Sequence, residues 1–337
     1  MHFKARFRYA PLFFVGLAVI VFCCVGCQPP QKQTGPPEKV TVAYATAPNS
    51  VIVHIAFMKG YFTEEGLEAT PQPYVFGKQT LDAIIEGKAD LATVSDTPIM
   101  FAIMGGRKIM VLSVIETSYK NEAIVARQDR GIAKPADLKG KTIGVTLGTA
   151  CDFFTHIFLK ARGIERTQVK IIDMKPEEMP ATLRAGRIDA ACIWNPILTL
   201  ARNELGDKEL VFYGESLFTE TFCLTAGQDF IRQHPETIRK VLRALIKAER
   251  FARQQPAEAQ RLAAEFAKMD RAILDKIWDD FSFRVTLDQS LLVDLEDLTR
   301  WAINSGLTKH RDVPNYLDFV YVDGLKAVKP DAVRITR

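Results

Sequence analysis

Residues 81–106 read LDAIIEGKADLATVSDTPIMFAIMGG, and their order decides the fold. The spacing predicts a helix over 81–86, a turn at Gly87, a short apolar strand over 90–94, a polar elbow Ser95-Asp96-Thr97-Pro98 and a second helix from Pro98. Proline in the first turn of a helix gives up no intrahelical hydrogen bond, and the Asp or Thr before it can cap free N–H groups. The elbow therefore falls where the carboxyl end of a strand meets the amino end of a helix. In open α/β sheets, ligands collect at that edge. The same construction recurs at residues 43–50 and 145–152.

Outward from this stretch, 39–46 (KVTVAYAT) is an alternating β-branched strand, followed by a helix over 51–59 that Ser50 or Asn49 can cap. Further strands are expected at 68–74 and 109–115. The order βαβαβαβ implies a mostly parallel sheet with helices on both faces. Near residues 121–127 a second unit begins, with strands at 142–146, 169–173 and 188–193. Its first helix carries Phe154, Ile157, Phe158 and Ala161 at helical spacing, and its last strand runs into Trp194-Asn195-Pro196. Gly87-x-x-Asp90 corresponds to Gly186-x-x-Asp189, so the units read as two lobes. Residues 221–226 form a strand that crosses back towards the first lobe. Beyond it, apolar stripes (Ile238 to Ile246; Ile273, Ile277, Trp278 and Phe281; Leu291 to Ala302) mark packing helices. The domain expectation is lobe one over 39–123 and 227–337, and lobe two over 124–226.

The formal charge is +4 over 337 residues, and Lys4, Arg6 and Arg8 at the start account for three of it. The remainder is close to neutral, which excludes the basic field that nucleic-acid binding needs. Residues 1–26 read as an export signal: a basic start, an apolar stretch over 12–25 and small residues. That stretch is short for a bilayer span of about 20 residues. Cys24-Val25-Gly26-Cys27 resembles the bacterial lipobox, with Cys24 where Leu is usual, and this implies a lipid on Cys27. Residues 27–38 supply a Pro- and Gln-rich tether. Of six cysteines, only Cys151, Cys192 and Cys223 fall in the body, with no spacing for metal or redox chemistry, so buried thiols are expected.

The elbows at 46–50, 95–98 and 148–151 each offer backbone N–H groups at a helix start beside a hydroxyl or amide. Such a terminus carries about half a positive charge and attracts carboxylate, sulfonate, nitrate or phosphate-like groups. Trp194-Asn195 adds a flat apolar surface with an amide. A pocket-facing Asp96 calls for a ligand with N–H, O–H or cationic groups, whereas Asp96 as a helix cap leaves the preference for anions in place. No catalytic constellation is present. The five histidines have no HExxH or i,i+4 pairing, and GxSxG, P-loop and post-strand GxGxxG patterns are missing. No metal or cofactor is expected, and His54 and His156 read as core-satisfied or solvated.

Four segments carry a family resemblance: Lys59-Gly60-Tyr61-Phe62 with Glu65-Gly66-Leu67; residues 86–92 (EGKADLA); residues 137–145 (DLKGKTIGV); and Gly186-Arg187-Ile188-Asp189-Ala190 with Trp194-Asn195-Pro196. In this order, over residues 40–301, the chain resembles the solute-binding proteins of ABC importers in the nitrate/sulfonate/bicarbonate family, which includes taurine- and thiamine-precursor-binding-like members. The resemblance implies an α/β, type II periplasmic-binding-protein fold with two lobes, a cleft and two crossing segments. It also implies a small, anionic or polar organic solute and delivery to a permease and its ATPase, from a monomer held at the membrane by its lipid. The lobes would hinge near 122–125 and 223–227. Elbow position together with the family match gives the expected ligand contacts: Thr46, Asn49, Ser95, Asp96, Thr97, Thr117, Gly148, Thr149, Trp194 and Asn195. The alternatives are a pyrimidine-precursor binder and the same-fold pyrimidine synthase; the latter relies on a cysteine-rich run that this chain lacks.

Overall fold

β-Branched and apolar runs become strands wherever a long-range partner covers them, and here they assemble into two sheets. The computed structural model describes residues 1–3, 36–214 and 217–336. The expected lipid site Cys27 and most of the expected signal and tether lie outside the described residues. The body is the unit Pro36–Arg337. Its strands are β1 (Glu38–Ala45), β2 (Leu67–Tyr74), β3 (Leu91–Ser95), β4 (Ile109–Ser118), β5 (Glu122–Arg127), β6 (Thr142–Val145), β7 (Lys170–Asp173), β8 (Ala190–Trp194), β9 (Glu209–Tyr213), β10 (Glu220–Gly227), β11 (Phe281–Asp288) and β12 (Val333–Arg334). Among the described residues the larger sheet runs β12-β11-β4-β10-β3-β1-β2 and the smaller β7-β6-β8-β5-β9.

β1 pairs in parallel with β2 and β3, and β6 in parallel with β7 and β8. β3 and β8 are buried throughout, as continuous apolar runs in covered sheets are. The two Gly-x-x-Asp segments do the same work in each sheet. Asp90 Oδ2 accepts the Thr41 N–H at 2.7 Å, and Asp189 Oδ2 accepts the Thr142 N–H at 2.9 Å. Each aspartate thus ties the strand it precedes to the neighbouring strand that opens its lobe's repeat.

Three features depart from the sequence expectation. The larger sheet is mixed, because β10 is inserted antiparallel between β3 and β4. β10 therefore belongs to the larger sheet, although residues 220–226 were assigned to lobe two. Phe281, expected to close a helical stripe, instead opens β11 on the edge of β4. From Phe281 the apolar residues Phe283, Val285 and Leu287 alternate, and that two-residue period overrides the helical one. β9 and β12 are strands that the spacing of the sequence does not predict. The chain passes from β4 to β5 through residues 119–121 and returns between β9 and β10. The expected hinge residues, 122–125 and 223–227, lie within β5 and β10 themselves.

Candidate functional site

The carboxyl ends of β1 and β3, the first residues of β5 and β10, the end of β8 and the start of the helix Ala150–Lys160 border one narrow cleft. Asn49, Ser95 and Thr149, one from each predicted elbow, all line it. The first two follow strands of the larger sheet and the third follows a strand of the smaller, so the cleft lies between the lobes.

Its walls are aromatic. Phe76, Trp194 and Phe222 line the cleft, and Phe76 crosses from the larger-sheet lobe to meet Trp194 at 6.0 Å between ring centroids. Gly77, which opens the helix Gly77–Ile85, has a packing reason to be glycine. A Cβ there would stand 2.9 Å from Val94 Cα and 3.1 Å from the Phe222 ring.

The floor is acidic. Glu122 and Glu220, both buried, line the cleft. Asn121 Nδ2 donates to Glu220 Oε2 at 2.6 Å and to Glu122 Oε1 at 3.3 Å. Burial, then the Glu220 charge, holds the Glu122 carboxyl well above the usual range. Burial raises Glu220 as well, opposed by its hydrogen bond from Asn121. Behind them stand Glu116 and Asp96, fully buried and likewise raised well above the ordinary carboxylate range by desolvation and neighbouring acids. Among the described residues neither Glu116 carboxylate oxygen has a hydrogen-bond partner.

Of the ten expected contact residues, Asn49, Ser95, Thr149 and Trp194 line the cleft. Asp96 and Thr97 instead stand in the interior, where Thr97 Oγ1 donates to Asp96 Oδ1 at 3.2 Å. The helix starts at Asp96 and not at Pro98, so its first turn carries these side chains away from the strand end. Asn195 is buried behind Trp194; its N–H donates to Asn121 Oδ1 and its Oδ1 accepts from Thr199. Gly148 lines a neighbouring groove with Lys78 and Leu147, at φ +72°, and its N–H donates to Asp152 Oδ2. Thr46 and Thr117 are half-buried outside the lining. Thr149 Oγ1 donates to Thr146 O at 2.7 Å, and neither it nor Ser50 caps its helix through the side chain.

Sequence reasoning missed Glu122, Glu220, Phe76, Lys78 and Phe222. The acids did leave a signal: each stands at the head of an otherwise apolar strand, EAIVA and ETFCLTA, where an unpaired charge has no structural use. His54 is a core residue: its Nε2–H donates to Ala45 O, and burial depresses its pKa to about 4. Cys151, Cys192 and Cys223 are buried free thiols.

Two α/β lobes joined by two crossings, with strand ends and helix starts from both gathered around one cleft, define a solute-binding protein of the type II periplasmic-binding-protein fold. Residues 47–259 match the family described as NMT1/THI5 like, and the chain belongs to that family. It is 26% identical over 213 residues to the taurine-binding periplasmic protein of Escherichia coli K12, covering 62% of this chain and 65% of that one. Its fold matches the periplasmic aliphatic sulphonate binding protein SsuA from Escherichia coli, with a TM-score of 0.73, 18% identity, and 85% and 98% of the two chains covered. The alkanesulfonate-binding protein SsuA from Xanthomonas axonopodis pv. citri, bound to MOPS, matches with a TM-score of 0.75, 18% identity, and 85% and 99% coverage.

Proposed function

We propose that this chain is an exported lipoprotein that captures a small polar or anionic organic solute, of the class its sulfonate-, taurine- and nitrate-binding relatives are named for, and delivers it to an ABC permease and its ATPase. The observation that carries this reading is the convergence of Asn49, Ser95, Thr149 and Trp194, from both sheets, on one cleft. A solute touching both lobes favours the closed arrangement, because only differential affinity shifts such an equilibrium.

The hinge in this proposal is residues 119–121 together with the return connection between β9 and β10. Lobe one is then built on the larger sheet and lobe two on the smaller. The protein acts as a monomer, with residues 1–26 removed on export, Cys27 lipidated and 28–38 as tether. It binds its solute without converting it, which the binding-protein names of its relatives support.

A thermal-shift panel of sulfonates, nitrate, bicarbonate, amino acids and pyrimidines on residues 28–337 tests the reading. A true ligand at a hundred times its dissociation constant adds about 2.7 kcal/mol to folding stability, and mass spectrometry should recover it unchanged. Conversion of the solute would overturn the proposal. Fatty-acid labelling of the full chain that survives Cys27→Ser would overturn the lipid anchor.

A further inference from the structure

The cleft floor is unusual for an anion trap. Glu122 opens β5 in the smaller sheet and Glu220 opens β10 in the larger, and each is 3% exposed. Both carboxyl groups meet the single Asn121 amide. Among the described residues no cation stands among the main influences on either one, and Glu116 and Asp96 add further buried acids behind them. Among the described residues Lys78 is the one cation lining the cleft, and it is exposed at the rim.

An independent observation points the same way. Asn49 is 3% exposed, lines the cleft, donates through its side-chain amide to Glu220, and among the described residues leaves its Oδ1 without a hydrogen-bond partner. The floor thus presents the Glu220 carboxylate, the Glu122 carboxyl hydrogen-bonded to it, and a bare amide oxygen. Burial and the hydrogen bond to Glu220 favour the protonated form of Glu122, so a simple anion seated there would meet the Glu220 charge with no cation beside it. Among the described residues no group of three or more His, Cys, Asp and Glu is placed to hold a metal ion.

The chemistry that satisfies this floor is a protonated nitrogen. Its N–H groups form charge-assisted hydrogen bonds with carboxylates, and aromatic faces attract cations. We propose that the solute carries an ammonium or amidinium group received between Glu122 and Glu220, with Asn49 Oδ1 accepting a further N–H and the rest of the solute packed against Phe76, Trp194 and Phe222. The inference rests on the solute-binding reading above and narrows it. An acidic group on the same solute would lie towards Lys78 and the N-terminus of the helix Ala150–Lys160, so a zwitterion fits where a simple anion does not.

The test uses matched pairs that differ at the nitrogen: taurine against isethionate, benzylamine against benzyl alcohol, and benzamidine against benzamide. Affinities are measured by calorimetry on residues 28–337. In each pair with measurable binding the nitrogen-bearing member should bind about tenfold tighter or better, the size of one charged hydrogen bond. Glu122→Gln and Glu220→Gln should erase that preference, while Glu116→Gln, outside the lining, keeps it. The wild-type comparison needs no variant, so misfolding of a variant cannot rescue the idea. Equal binding within the pairs, or tight binding of a nitrogen-free anion from the proposed-function panel, overturns this inference and leaves the solute-binding reading standing. Binding by no compound in either panel overturns both.

Discussion

Asn121 Nδ2 lies 2.6 Å from Glu220 Oε2, one hydrogen bond that joins the first crossing between the sheets to the head of the second returning strand. The same side chain accepts the Asn195 N–H through Oδ1 at 3.2 Å, which fixes the segment carrying Trp194. Removing this amide strands a buried carboxyl and a buried N–H together. Asn121→Ala should cost about 1–3 kcal/mol in urea unfolding, the penalty for unsatisfied buried groups. Asn121→Asp, which adds another acid, should be worse at neutral pH than at mildly acid pH.

Asp90 and Asp189 are predicted to be energetic counterparts. Each accepts a strand N–H from across its own sheet, from Thr41 and Thr142 respectively. Asp90→Ala and Asp189→Ala should each cost about 1–3 kcal/mol. The sites share no partners, so the double variant should lose the sum to within about 0.5 kcal/mol. Chemical denaturation of the four proteins measures this, and a large coupling would contradict it.

Phe76 reaches across the cleft to Trp194, and that contact is expected to serve the closed state. Phe76→Ala should weaken solute binding by about tenfold, since an aromatic pair contributes about 0.5–1.5 kcal/mol beyond its buried area. Phe76→Leu should recover part of the loss. Calorimetry with a ligand from the panel reads it directly.

The buried acids give stability a distinctive pH dependence. Asp96, Glu116 and Glu122 bind protons more tightly in the folded chain than in the unfolded one, chiefly because burial penalises their charge. Their contribution is full below the ordinary carboxylate range and is lost as pH rises through the raised folded values. Asp294, at about 6, behaves alike. His54 opposes them: with its folded pKa lowered to about 4, its contribution is present above the unfolded histidine value and is lost as pH falls. Well above the ordinary histidine value the unfolded imidazole is neutral too, so the His54 contribution no longer changes and the raised carboxyl groups set the slope. The Tm of the unliganded protein should therefore fall as pH rises above about 7.5, and Glu116→Gln should flatten that slope. Calorimetry across that range checks it, and a Tm that rises with pH would contradict the assignment.

The lobe pattern was legible because its carriers are local. β-Branched runs, a glycine after each short helix, and the Gly-x-x-Asp repeat at 87–90 and 186–189 report backbone preferences that neighbouring residues impose. The three elbows were legible for the same reason, and one residue of each does reach the cleft. Phe281 was misread where two local periods overlap at one residue, and the start of β11 was settled by pairing with Ser118 across the sheet.

By itself the sequence determined the alternation of strands and helices, the two lobes and the junctions that edge the cleft, since each follows from spacing along a short stretch. Only the tertiary structure decided that β10 slots antiparallel between β3 and β4, and it is this that carries Glu220 to the cleft floor beside Glu122. The same folding turned Asp96 inward and left Ser95 at the lining. Which face a side chain presents at a strand–helix junction depends on the turn at which the helix begins, and which acids meet depends on pairings about a hundred residues apart. Neither is encoded in any one stretch of the chain.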